Sequence, residues 1–209
     1  MSVEIRRATH ADLAGVVEIH LESFGGFFLT SLGPKFLTRF YASQVADDRC
    51  ISLVAILDDR VVGFAFGPLD PEGFFRRLFR SQAPGFIADS LGALLDNPRR
   101  VSAGLLRAVT FRGDPPAGPQ SGALLSSIAV GRHMPGTGVA GRLIEKFCAE
   151  SERRGAASVY LTTDRRGNDA ANRFYLKHGF VIESVVVREN GRSMNRYVKM
   201  FAEPQRAPE

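Results

Sequence analysis

The chain has 209 residues, 44% of them apolar, with a net charge of +5 and a pI near 9.6. That is enough apolar material for a full core in one domain, and no window is apolar for long enough to cross a bilayer. The opening MSVEIRRATHADLAG lacks the apolar centre of a secretory signal. Cys50 and Cys148 both sit in apolar patterns and imply no disulfide framework, so a cytoplasmic protein is expected. The basic residues form no run and do not alternate with aromatics, which argues against nucleic acid as the partner.

Val3–Thr9 alternates as a first strand. Thr9 and Asp12 then resemble a capping box, opening a helix to about Ser23 with Leu13, Val16, Val17, His20 and Leu21 on its buried side. The loop FGGFFLTSLG follows, and Pro34 sits at the first turn of a second helix whose apolar side holds Phe36, Leu37, Phe40 and Tyr41. Ile51–Leu57 and Val61–Leu69 read as strands of a hairpin turning at Asp58-Asp59-Arg60. The stretch of roughly fifty residues from 70 to 122 is too long for a bare loop and reads as a helical insert. It holds apolar patches around Phe74, Phe75, Leu78 and Phe79, and around Phe86, Ile87, Leu91, Leu94 and Leu95, with a further helix over Val101–Phe111. Seven arginines stand against three acids between 71 and 113, among them Arg76, Arg77, Arg80, Arg99 and Arg100. A solvated face, a partner surface or an anionic acceptor would each account for them.

The organising stretch is Leu124–Gly155. LLSSIAV is a continuous apolar run that suits a buried strand. GRHMPGTGVAG packs four glycines and a proline into eleven residues, and its backbone can therefore take turns that side chains forbid. RLIEKFCAESERRG continues a helix in which Val139, Leu143 and Phe147, and Ala140, Ile144 and Cys148, recur at four-residue spacing, with Gly155 as C-cap. A glycine-rich turn leading into a helix start aims backbone N–H groups at one spot, a geometry that binds phosphate. The spacing is neither that of a Walker loop nor the dinucleotide fingerprint.

A strand over Ala156–Thr163 follows, then DRRGNDAANRFYLKHGF, and finally Gly179–Arg188 and Ser193–Phe201 as strands around a turn at Asn190-Gly191. Val130, then Gly-x-Gly-x-Ala at Gly136, Gly138 and Ala140, then Asn168-x-x-Ala171-x-x-Phe174-Tyr175-x-x-x-Gly179-Phe180, resembles the GNAT acetyltransferase superfamily. The resemblance covers the chain except 70–122. It implies an α/β (α+β) GNAT fold, a mixed central sheet flanked by helices, with a helical insertion between strands 3 and 4. Residues 1–202 would form a single acetyltransferase domain and 203–209 a disordered tail.

The resemblance also implies a chemistry: an N-acetyltransferase in which an amine attacks the thioester of acetyl-CoA. Its coenzyme contacts fall here on Pro135, Gly136, Thr137, Gly138, Val139, Ala140, Gly141 and Arg142 at the pyrophosphate. Ile128, Ala129 and Val130 lie beside the pantetheine arm, and Asn168, Asn172 and Tyr175 come from the second motif. Tyr175 is the expected general acid, and Asn168 also suits an N-cap. Two positions depart from the family pattern: Arg132 replaces the usual proline and Pro135 the usual Arg or Gln, so the cradle has one N–H fewer. The glutamate often found on the fourth strand is absent from Leu125-Ser126-Ser127-Ile128. Glu22, His20, His133, Asp164, or a water held by Ser126 or Ser127, remain as base candidates. Gly25, Gly26, Phe27 and Phe28 read either as acceptor-pocket wall or as ordinary core. The expected acceptor is a small-molecule or sugar-linked amine. A protein amine, or a non-catalytic acyl-CoA-binding module, is the alternative. No metal site and no membrane partner are expected, and an apolar helical layer allows a homodimer.

Overall fold

Alternation along the central strands decides where each face of the sheet packs. The computed structural model describes residues 3–25, 27–89, 122–134, 136–188 and 191–201. Strands β1 (Glu4–Arg7), β2 (Cys50–Leu57) and β3 (Arg60–Pro68) form an antiparallel sheet that β5 (Ser127–Val130) extends, in the order β1-β2-β3-β5. Phe64 and Phe66 of β3 and Val54 of β2 enter one core with α1 (Leu13–Ser23) and α3 (Pro34–Ala46). The intervening Ala65, Leu53 and Ala55 enter a second core under α5 (Val139–Arg153). Period-two side chains thus serve two helical layers at once.

The hairpin turn sits at Asp58 and Asp59, with φ of 49° and 61°. Aspartate tolerates this left-handed region better than most residues. A 3-10 turn over His10–Asp12 precedes α1, and the Asp12 carboxylate accepts the Thr9 N–H at 2.7 Å and two bonds from Arg6 at 2.8 Å. Within α1 the buried side is Leu13, Val16, Val17, Ile19 and His20. Leu21, expected there, is instead 36% exposed, because the stripe turns toward Ile19. A short helix α2 (Phe28–Ser31) interrupts the loop before Pro34.

β3 is followed by α4 (Pro71–Asp89), which gathers Phe74, Phe75, Leu78 and Phe86 into the first core and leaves Ile87 exposed. Two of the expected apolar patches therefore share one helix at their start. Leu91, Leu94, Leu95, the helix expected over 101–111, Arg99 and Arg100, and the tail lie outside the described residues. Arg77 is turned inward, bonded to Asp47 at 3.1 Å.

The apolar run expected as one strand over 124–130 is two. β4 (Gly122–Leu124) pairs in parallel with β6 (Ser158–Asp164), whereas β5 pairs antiparallel with β3. A second sheet, β4-β6-β8-β7, holds β7 (Val181–Val187) at its edge and β8 (Ser193–Met200) inside, with α6 (Asp169–Lys177) before β7. The two sheets meet at Leu125 and Ser126. Leu125 N–H still reaches Tyr160 O of β6, while Ser126 N–H and Oγ both reach Phe66 O of β3. The chain changes partners within two residues.

Candidate active site

That change of partners opens a gap. Beyond Leu124↔Tyr160, β5 and β6 make no ladder, and β5 is the last strand of its sheet among the described residues. Gly131 N–H bonds Val62 O, and the register sets Ala129 opposite Phe64. Alternate residues of an antiparallel ladder turn their N–H and C=O groups to the partner strand. The amides of Ile128 and Val130 therefore turn away from β3, toward the gap. Of the three residues expected to line it, Ala129 directs its backbone to β3 instead.

At the end of β5 the chain enters the glycine turn. Gly136 and Gly138 have φ of 75° and 76°, and a Cβ at either would meet nothing within 4 Å. Both are glycine because of backbone angle, not crowding. Gly138 is the N-cap of α5, and Arg142 N–H makes a helical bond to Gly138 O at 3.1 Å. The N–H groups of Val139, Ala140 and Gly141 consequently have no intrahelical acceptor. Thr137 turns its hydroxyl back to Met134 O at 2.7 Å, and the Arg142 guanidinium bonds Val3 O at 2.9 Å, so both contribute backbone more readily than side chain. Gly141 has a different role. A Cβ there would lie 2.9 Å from His178 Nε2, so a side chain would require the His178 ring at the end of α6 to shift. Pro135 lies outside the described residues.

The second motif gives two asparagines with different surroundings. Asn172 Nδ2 donates to Asp164 O at 3.0 Å and to Asn168 O at 2.9 Å. Its Oδ1 accepts from Asn195 Nδ2 at 3.0 Å and from the Tyr197 hydroxyl at 2.9 Å. Two donors and two acceptor positions are the whole inventory of a side-chain amide. Asn172 thus ties α6 to β6 and β8, and none of its amide is left over for a coenzyme. Asn168 occupies the N-cap of α6 but makes no side-chain cap; its Nδ2 donates to Thr163 Oγ1 at 2.7 Å, and its Oδ1 has no partner among the described residues.

Tyr175 is 8% exposed, its ring against Phe174, Phe180 and Tyr197. Burial pushes the phenol well above its ordinary pKa, so it stays protonated through the physiological range. The Phe174 ring lies 4.4 Å from that of His178, tilted by 44°, and packs on the same core.

The base candidates are separated just as clearly. Asp164 is held in a two-pronged ion pair by Arg192, and Glu22 and His133 are exposed. Ser126 is spent on Phe66 O. His20 is 3% exposed and its Nδ1 lies 2.7 Å from the Tyr41 hydroxyl; burial lowers its pKa to about 4, so the imidazole is neutral at pH 7. In the loop after α1, the His20 ring touches Phe24, Phe24 meets Phe27 edge-on, and the Arg192 guanidinium lies 4.6 Å over the Phe27 ring. Nothing in the sequence pattern pointed to Arg192, whose partners come from β6 and the loop after α1. Gly26 and the Phe28 side chain lie outside the described residues.

The sequence pattern of the Acetyltransferase (GNAT) family matches residues 13–180. The chain belongs to this family. It is therefore an N-acetyltransferase with acetyl-CoA as acetyl donor. Solved structures agree on the fold. A GNAT-family acetyltransferase from Streptococcus pneumoniae superposes with a TM-score of 0.60 at 20% identity, covering 96% of this chain and 100% of that one. The ribosomal-protein-S18-alanine N-acetyltransferase of Escherichia coli gives 0.59 at 16%, covering 99% and 100%. The PaiA N-acetyltransferase of Thermoplasma acidophilum, solved with coenzyme A, gives 0.57 at 14%, covering 96% and 100%. No curated protein matches the sequence.

The GNAT residues present fit that donor. Helix-start amides without intrahelical acceptors beside two open, positive-φ glycines suit a pyrophosphate, and a strand edge unpaired among the described residues suits an extended amide-bearing arm. No helix among the described residues is long and apolar enough to cross a membrane.

Proposed function

We propose that this acetyltransferase acts in the cytoplasm on the amine of a small-molecule or sugar-linked acceptor, with residues 1–202 as one catalytic domain. The observation that carries the reading is the bridge of Arg192 over Phe27, anchored by Asp164. It links the loop after α1 to the β7–β8 hairpin across the acceptor side. A compact amine suits such a bridged site better than an extended polypeptide does. The Arg192 charge is balanced by Asp164, so the aromatic wall sets the preference there.

In this reading the amides from Gly136 to Arg142, with Pro135 contributing none, hold the pyrophosphate, and Asn168 Oδ1 accepts from the pantetheine arm. The Ile128 or Val130 N–H donates to the oxygen on which negative charge develops, a preorganised interaction that is often the largest catalytic contribution. Tyr175 arrives protonated and gives its proton to the departing sulfur. Asn172 acts by holding α6 in place.

The test is acetyl transfer to a panel of amines, starting with amino sugars and their nucleotide conjugates, by wild type and Tyr175→Phe. Loss of about ten- to a hundredfold in kcat with coenzyme affinity unchanged is expected. Undiminished turnover by Tyr175→Phe would remove the acid assignment. A second reading, an acyl-CoA-binding module without catalysis, is favoured by one observation: every candidate base is either engaged or exposed. Tight acetyl-CoA binding with no acetylation of any amine in the panel, or of peptide amines, would establish that reading instead.

A further inference from the structure

Tyr175 is surrounded by rings, and its own hydroxyl makes no hydrogen bond among the described residues. A phenol that must deliver a proton therefore takes its aim from its neighbours. The neighbour with an anchor is Tyr197, whose ring centroid lies 5.5 Å from that of Tyr175 at a tilt of 39°. The other two rings on Tyr175, Phe174 and Phe180, have no polar atom to anchor them. Tyr197 has no exposed surface, and its hydroxyl donates to Asn172 Oδ1 at 2.9 Å.

Both ends of the Tyr197 side chain are thus set. Its backbone lies on β8 between two strands, opposite Leu161 of β6 and Ile182 of β7. Its hydroxyl is set by α6, where Asn172 stands three residues before Tyr175 and shares its side of the helix. α6 has only nine residues, too few turns to hold a placement without such ties. Lys199 Nζ, also from β8, bonds His178 O at the far end of the helix at 3.0 Å. Of these two ties from β8, Tyr197 is the one that also touches Tyr175. Phenylalanine would fill the same space at 197 without burying a hydroxyl, which is costly unless paired. A satisfied polar pair inside a core rigidifies it and selects one arrangement over its near alternatives.

We propose that Tyr197 is a positioning residue: anchored on Asn172, its ring is a fixed wall that sets the tilt of the Tyr175 phenol toward the departing sulfur. The inference rests on the reading of Tyr175 as the proton donor. When the carbon–sulfur bond breaks, its electron pair leaves with sulfur, Tyr175 supplies the proton, and the phenolate recovers one from water. Tyr197 takes no part in that transfer and acts through Tyr175 alone. A shift of the Tyr175 oxygen by about 1 Å would take it out of hydrogen-bond reach.

The experiment is NMR of protein carrying ¹³Cζ-labelled tyrosine. The chain has four tyrosines, Tyr41, Tyr160, Tyr175 and Tyr197, and the Tyr175 signal is the one missing from Tyr175→Phe. Coenzyme A is added to wild type, Tyr197→Phe and Asn195→Ala, with desulfo-coenzyme A, which lacks the sulfur, as reference. Dissociation constants and thermal midpoints are read in parallel. In the wild type, coenzyme A is expected to displace the Tyr175 signal further than desulfo-coenzyme A does. Tyr197→Phe should lose at least half of that sulfur-dependent difference, with coenzyme A affinity within about threefold of wild type. Asn195→Ala breaks a bond to the same Asn172 oxygen without touching the Tyr197 anchor. It should lower the midpoint and keep the difference. Full retention in Tyr197→Phe, or an equal loss in Asn195→Ala, is what a purely structural role would give, and either overturns the proposal. If the wild type shows no sulfur-dependent difference, the reading of Tyr175 as proton donor is wrong and the proposal falls with it. If Tyr197→Phe does not fold, Asn172→Ser, which withdraws the acceptor from the other side, is read by the same criterion.

Discussion

Replacing Asn172 by alanine separates a structural hub from a coenzyme contact. Four hydrogen bonds of 2.9–3.0 Å end on this one amide. The substitution strands the hydroxyl of Tyr197, which has no exposed surface, and the amide of Asn195, 6% exposed, together with the carbonyls of Asp164 and Asn168. A buried group left without its partner costs about 1–3 kcal/mol. The two buried donors then set a loss of about 3 kcal/mol, with the two carbonyls recovering much of theirs from water. At a urea dependence of about 2 kcal/mol per molar, the unfolding midpoint should fall by about 1.5 M. Asn168→Ala is the contrast: it breaks one bond to Thr163 and should cost about 1 kcal/mol while weakening acetyl-CoA binding. Equilibrium urea unfolding and calorimetric titration on both variants check this. A loss below about 1 kcal/mol for Asn172→Ala, or weaker coenzyme binding at unchanged stability, would refute the hub argument.

Three further outcomes follow from single positions. Gly67→Ala places a Cβ against the Leu124 carbonyl, a backbone atom that cannot move aside without breaking the junction of the sheets. It should cost more than about 3 kcal/mol, visible as loss of soluble protein or of the urea transition. Pro135→Gln returns one N–H to the cradle, and a charge-assisted bond to phosphate should tighten acetyl-CoA binding about tenfold in calorimetry. His20 makes stability depend on pH. The unfolded imidazole takes up a proton below pH 6.5, the folded one only near 4. In that window the unfolded chain binds more protons, so stability is full above pH 6.5 and falls by about 3 kcal/mol on acidification to pH 4. His20→Gln should flatten urea midpoints measured across that range.

Most of the fold was legible because its signals are local. The spacing of Phe36, Leu37, Phe40 and Tyr41 needs only one helix to be read, and the Asp58-Asp59 turn only two residues. The glycine turn was legible for the same reason: Gly136, Gly138 and Gly155 take positive φ whatever surrounds them. The split of 124–130 was not. An apolar run reports that a strand is buried on both faces and says nothing about which strand it pairs with. Nor does spacing along a motif reveal that Asn172 spends its whole amide inside the protein. Its partners Asn195 and Tyr197 lie more than twenty residues away, on β8.

The missing carboxylate on β5 looks like a loss only while the site is read along one strand. Away from that strand, the engaged polar side chains come from several elements: His20 of α1 with Tyr41 of α3, and Asp164 of β6 with Arg192 beside β8, while Ser127 of β5 is itself buried. None is remarkable in its own stretch of sequence. His20 sits on an apolar helix side, Tyr41 on another, and Ser127 within a hydrophobic run. What distinguishes His20 and Tyr41 is burial with a polar partner, and burial of polar groups is tolerated only where hydrogen bonds offset it. With no carboxylate on β5, and Asp164 and His20 engaged among the described residues, the expectation is that the amine reaches the site already free of its proton or loses it to water. Turnover should therefore rise with pH up to the pKa of the acceptor amine itself, with no inflection set by a protein base. A plateau reached at about pH 7 with an amine of ordinary basicity would show that a protein group takes the proton after all.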